Sequence, residues 1–106
     1  VMIAAVEIYL RDHHAEPDLD PPRVAAAHWV SVRRLHALFE PTGHPVAALI
    51  RDERLAAIRR DLRDPALAHR SIARIAASHG LRNPSAFARL FRSAEGITPR
   101  EFRTGS

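Results

Sequence analysis

All the permanently charged basic side chains of this sequence are arginines: there are sixteen, with no lysine, alongside seven histidines. A guanidinium is a planar fork that can grip a phosphate, or the O6/N7 edge of guanine, with two parallel bonds. Two sets of polar and small residues are spaced to use that property. Arg33, Arg34, His36 and Ala37 fall between the apolar positions of one amphipathic segment, and Ser85, Ala86, Arg89, Arg92 and Ser93 fall likewise on another, with Arg82 just ahead of it. Arginine and serine can bond base edges and alanine leaves room for a thymine methyl, while flanking arginines neutralise phosphates without reading sequence. The charge is unevenly spread. Residues 1–20 hold one arginine against five acids, a net of −4, whereas residues 21–106 hold fifteen against seven, a net of +8. Two bland explanations share this composition: an arginine-rich surface that only solvates a small domain, and a codon bias against lysine.

Other chemistries find no footing. Without cysteine there is no disulfide scaffold, thiol nucleophile or thiolate zinc site. His13 and His14 are adjacent, His28 and His36 fall on different segments, and no H-E-x-x-H spacing occurs, so neither a metal site nor a cofactor is expected. The acids lie mainly at helix starts or beside arginine, as caps and ion pairs do, and Ser31 and Ser71 read as caps; no catalytic set converges, and the chain is not expected to be an enzyme. No apolar run reaches the ~18 residues of a membrane span. The expectation is a cytoplasmic protein of one small domain, or two very small ones sharing a connector.

The elements that position these residues are short helices cut by proline and glycine. Met2, Val6, Tyr9, Leu10 and His13 make a helical stripe over about 1–14, with no cap at its start. Asp20-Pro21-Pro22 starts a second helix running to about His28. Ser31 caps a third, whose inward residues are Val32, Leu35, Leu38 and Phe39, and which ends at the breakers from Pro41 to Pro45. From Pro45 to Asp64 there is no breaker. In that long helix Val46, Leu49 and Ile50 share one side, while Leu55, Ile58 and Leu62 lie roughly 150° around the axis, the pattern of a connector that enters two different cores. Ser71 then caps a helix with Ile72, Ile75 and Ala76 inward, Gly80 supplies an exit of positive φ, and Asn83-Pro84 starts a helix with Phe87, Leu90, Phe91 and Ala94 inward. Pro99 opens a last turn through Phe102.

The halves superpose in sequence. Ala25 pairs with Ala76 at an offset of 51, Leu35, Leu38 and Phe39 with Phe87, Leu90 and Phe91 at 52, and Gly43 with Gly96 at 53. This is an internal duplication of a short helix, a tight turn and a second amphipathic helix, the helix-turn-helix pattern in which the second helix enters the DNA major groove.

Ile75-Ala76, Gly80-Leu81, Asn83, Phe87, Arg89, Phe91-Arg92, Gly96 and Thr98-Pro99-Arg100-Glu101-Phe102-Arg103 resemble the C-terminal signature of AraC/XylS transcription regulators. Ala25, Ser31, Leu35, Phe39, Gly43 and the Arg54-Leu55 pair match its first half, and the resemblance covers about residues 19–103. It implies base reading by Arg33, His36 and Ala37 in the first unit and by Pro84, Ser85, Ala86 and Arg89 in the second. Arg34, Arg82 and Arg92 suit phosphate contact. Ala37 and Glu40 replace basic residues common in the family, which points to a first half that reads DNA differently or more weakly. Trp29 replaces a turn glycine and is expected to cap the small core rather than touch DNA. Arg100 and Arg103 are weaker candidates for DNA contact, with pairing to Glu101 or a nearby acid as the alternative, and Arg54 is expected to take part in ion pairs within its own helix.

The expected architecture is all-α, about seven helices: helix-turn-helix subdomains over 1–44 and 64–106, of about three helices each, joined by a linker helix over 45–63. The expected function is specific binding of double-stranded DNA, one chain reading two successive major-groove segments ~34 Å apart. The resemblance adds promoter regulation, most often activation with RNA polymerase as partner. The uncapped start without methionine suggests an effector or dimerisation domain upstream; a complete stand-alone regulator is the other reading. The rival class is a helical interaction module that binds an acidic protein partner and no specific DNA.

Overall fold

A computed structural model describes residues 1–105. They form seven α-helices and, among the described residues, no strand. Helix α1 spans Met2–His13, α2 Pro21–Ala27, α3 Val32–Phe39, α4 Val46–Arg63, α5 Ile72–Ser78, α6 Pro84–Glu95 and α7 Pro99–Thr104, with 3-10 turns at Glu40–Thr42 and Pro65–Leu67. The starts are chemically marked. Asp20, Ser31, Ser71, Asn83 and Thr98 each accept a backbone N–H three residues on, satisfying a donor that has no partner within its helix. Helix α1 has no side-chain cap. No helix is long and apolar enough to cross a membrane.

The chain divides into two compact units, Val1–Glu53 and a second that begins at Arg54, so the division falls inside α4. In the first, Val6 and Leu10 of α1, Val24 and Ala25 of α2, Leu35 and Phe39 of α3, and Val46 and Ile50 of α4 enclose one core together with Leu19. In the second, Leu55, Ile58 and Leu62 of α4 meet Ile75 and Ala76 of α5, Phe87 and Phe91 of α6, and Phe102 of α7. Phe91 lies 5.7 Å from Phe87 and 5.3 Å from Phe102, ring centre to ring centre, the latter edge-on. Each such buried side chain contributes roughly 1.5–3 kcal/mol, so a lobe of this size rests on a handful of them. The change of apolar face along α4 thus reflects two separate cores.

The two turns are the same structure with different residues. After α2, Val30 N–H donates to the Ala25 carbonyl at 3.1 Å; after α5, Leu81 N–H donates to the Ala76 carbonyl at 3.0 Å. This six-residue closure needs a left-handed residue between them. Gly80 holds it with φ +94°, and Trp29 holds it with φ +60°, the one residue other than glycine with positive φ among the described residues. The expectation that Trp29 caps the core is overturned: its side chain is 94% exposed, because a left-handed Cα in this turn aims Cβ at solvent. Ala94 is a second correction. It lies on the exposed side of α6, since the core of that lobe is already closed by Phe87 and Phe91.

Helix α7 runs to Thr104, longer than a single turn, and opens on a reciprocal cap. Glu101 N–H donates to the Thr98 hydroxyl at 3.1 Å, and Thr98 N–H donates to the Glu101 carboxylate at 2.9 Å. Those bonds from Thr98, backbone first and hydroxyl second, hold the Glu101 carboxyl below the usual carboxylate range, with the charge of Arg92 adding to them.

Trp29→Gly removes the left-handed penalty of a bulky residue and gives up no buried area, so it is expected to stabilise the first lobe by roughly 1 kcal/mol. A melt followed by circular dichroism checks this; a lower midpoint would mean the indole packs on something. A carboxyl with a lowered folded pKa stabilises above its unfolded pKa and loses that contribution as pH falls through the folded value. Glu101→Gln is therefore expected to melt less pH-dependently on acidification than the parent chain.

Candidate nucleic-acid interface

Helices α3 and α6 are built alike. Ser31 Oγ accepts Arg34 N–H at 3.0 Å and Asn83 Oδ1 accepts Ala86 N–H at 2.9 Å, which fixes where each helix starts. Leu35 and Phe39 in α3, and Phe87 and Phe91 in α6, are buried one turn apart. That pair sets the rotation of each helix about its axis, and Arg33 and Ala37 in α3 and Ser85 and Arg89 in α6 lie on the other side.

The first lobe exposes Arg33, Arg34, His36 and Ala37. Arg33, His36 and Ala37 are spaced three and four residues apart and so share one face. His36 also borders a largely apolar pocket of about 390 Å³, lined by Phe39, Gly43 and Val46 among others. In the second lobe Pro84, Ser85, Ala86, Arg89 and Arg92 are exposed along α6, and Arg82 is exposed in the turn before it. Ser85 and Arg89 lie one turn apart, with Ala86 and Arg92 three residues from Arg89. The structure thus gathers each set on its own helix. Among the described residues, Arg33, Arg34, Arg82 and Arg89 carry no side-chain hydrogen bond or ion pair. Guanidinium groups left uncommitted on a face opposite a core are available to phosphates and base edges.

The remaining arginines divide by environment. Arg103 does not pair with Glu101, which is occupied by Thr98; its guanidinium donates instead to the Leu67 carbonyl at 2.8 Å and ties α7 to the turn ahead of α5. Arg100 is exposed. Arg59 Nη1 meets Glu95 at 2.9 Å, and the Arg63 guanidinium lies 4.2 Å above the Phe102 ring, a cation–π contact on an otherwise closed core. Arg54 is half-buried in α4 and burial pulls its pKa below the ordinary value; in the same run Arg51 Nε lies 3.5 Å from Asp52.

The histidines are largely structural. His28 Nδ1 donates to the Val24 carbonyl at 2.8 Å, His79 Nε2 donates to Asp61 at 2.6 Å, and His13 pairs with Glu16. No group of three or more His, Asp or Glu is arranged to hold a metal ion among the described residues. Contacts such as Arg59–Glu95 and His79–Asp61 join residues 36 and 18 apart in sequence and left no local signal. The reciprocal cap at Thr98 did leave one, the T-x-x-E spacing.

A family profile described as a helix-turn-helix domain matches residues 24–105. Over 101 residues the chain is 33% identical to the transcriptional activator NphR of a Rhodococcus species, covering 95% of this chain and 29% of that protein. The chain therefore spans less than a third of that relative's length. Two solved structures share its fold. One is the C-terminal domain of AraT, a response regulator from Geobacillus stearothermophilus, with a TM-score of 0.89 at 22% identity over 99% of this chain and 85% of that one. The other is a DNA-binding transcriptional dual regulator from Escherichia coli K-12, with a TM-score of 0.86 at 23% identity over 99% and 97%.

Capping residues and the exposed Ser85 separate by mutation. Ser31→Ala and Asn83→Ala are each expected to lose ~0.5–2 kcal/mol of stability by removing a helix cap. Ser85→Ala, on an exposed position with no cap, is expected to stay within ~0.5 kcal/mol. Denaturant unfolding compares the three; a Ser85 effect as large as that of Asn83 would show that Ser85 serves the fold.

Proposed function

Because the chain belongs to the AraC-type helix-turn-helix family and is its DNA-binding domain, we propose that both α3 and α6 act as recognition helices on one double-stranded DNA site. Arg33, His36 and Ala37 read bases from α3. Pro84, Ser85, Ala86 and Arg89 read them from α6, with Arg89 the strongest candidate for a bidentate bond to guanine and the two alanines facing thymine methyls. Arg34, Arg82 and Arg92 bind phosphates, fixing register and supplying salt-dependent affinity. One observation carries this reading: in both lobes the helix after the turn is capped, anchored by a buried pair one turn apart, and carries on its outer face an arginine, Arg33 or Arg89, with no side-chain hydrogen bond or ion pair among the described residues.

NphR is named a transcriptional activator and extends well beyond the matched segment. On that analogy the domain serves a longer activator that also carries an effector or dimerisation domain and meets RNA polymerase at its promoter.

Selection of bound sequences from a random duplex pool, followed by footprinting, tests the reading. A two-part protected site is expected. Arg89→Ala is expected to lose roughly 1–3 kcal/mol on the selected site and little on random duplex, while Arg92→Ala weakens both alike and reduces the salt slope by about 1. Equal losses on both DNAs for Arg89→Ala would remove its base-reading role. Absence of any duplex binding would favour a helical interaction module instead.

A further inference from the structure

The duplication supplies an internal control, since each position in one lobe has a counterpart in the other, and the charges of the counterparts differ. Residues 1–53 hold five arginines against eight acids, a net of −3, while residues 54–106 hold eleven against four, a net of +7. The contrast is local as well as global. At the offset of 51 that relates α2 to α5, Asp18 corresponds to His69, Asp20 to Ser71 and Arg23 to Arg74. At the offset of 52 that relates the recognition helices, Glu40 corresponds to Arg92.

The two corresponding arginines are in opposite states. Arg23 is bound to Asp18, and its other terminal nitrogen lies 4.0 Å from Glu16. Arg74, together with Arg70 and His69, borders a polar depression of about 470 Å³, and none of the three side chains has a partner among the described residues. A phosphate brought to the second position meets two uncompensated guanidinium groups. Brought to the first, it meets the carboxylates of Asp18 and Glu16, which repel it.

We propose that the lobes divide the work of DNA binding unequally. The second lobe anchors the chain to the DNA backbone, with Arg70 and Arg74 binding phosphates in addition to Arg92. The first lobe, whose matching positions are the buried apolar Leu19, the already neutralised Arg23 and the acidic Glu40, keeps only Arg34 for phosphate, adds less affinity and engages chiefly where its base contacts from Arg33 and His36 are made. This inference rests on the DNA-binding reading above. It extends that reading to residues outside either recognition helix, and it predicts that most of the non-specific affinity belongs to the second lobe.

The test is a matched pair of substitutions in the whole chain, measured on random duplex across a range of salt, with circular dichroism to verify folding. Arg70→Ala combined with Arg74→Ala is expected to weaken binding about tenfold near 0.1 M salt and to flatten the salt slope by about 2, at ~0.9 per lost phosphate contact. Arg74→Lys, which keeps the charge, is expected to retain the slope. Arg23→Ala is expected to change affinity less than twofold, and Glu40→Arg to strengthen binding and steepen the slope by about 0.9. An Arg23→Ala loss equal to that of Arg74→Ala overturns the division of work, as does an unchanged slope in the Arg70/Arg74 double variant of a chain that binds DNA. Failure of the parent chain to bind any duplex would instead sink the DNA-binding reading and this inference with it.

Discussion

A helix that presents a chosen set of side chains is useful only if its outer face cannot rotate, and in α3 and α6 that constraint falls on two side chains each. Leu35 and Phe39 lock α3, and Phe87 and Phe91 lock α6, each pair buried one turn apart. Because interiors are packed to near-crystalline density, rolling either helix would open a void on one side and a clash on the other. Everything polar on these helices is consequently aimed outward by apolar residues buried in the cores. The caps at Ser31 and Asn83 do the same along the axis, setting which residue comes first.

A lobe of about fifty residues has few side chains with which to build such a lock, and small domains bury a small fraction of their surface. Helix α4 eases that shortage by contributing to both cores, Val46 and Ile50 to one and Leu55, Ile58 and Leu62 to the other. In the second lobe Arg63 over the Phe102 ring and Arg103 on the Leu67 carbonyl close the edge that apolar residues leave open. These arginines serve the fold, whereas Arg33, Arg34, Arg82 and Arg89 make no side-chain hydrogen bond or ion pair among the described residues.

How much of this could be read from the sequence depends on the range of the interaction. Caps, breakers and the i, i+4 stripes are local, so the helices and the helix-turn-helix duplication were legible, including the change of face along α4. Its two stripes, centred on Ile50 and Ile58, lie in the two cores. The outward placement of the reading residues followed from the same periodicity. What was not legible depended on tertiary detail. Ala94 fits the apolar stripe of α6, but two phenylalanines had already filled the space it would enter. Arg103 is three-dimensionally close to Leu67 and sequentially remote from it, so a local pairing with Glu101 was the natural expectation. The unpartnered state of His69, Arg70 and Arg74 was likewise invisible, because it depends on where every acid in the lobe ends up.

Trp29, finally, has a practical side. It is the sole tryptophan of the chain, it sits in the first lobe, and its ring is almost wholly in water. Its emission is therefore that of a hydrated indole, open to quenchers and confined to one reporter position. An event that covers or reorients that turn will register as a spectral shift without any attached dye, and an event restricted to the other lobe will leave the spectrum silent.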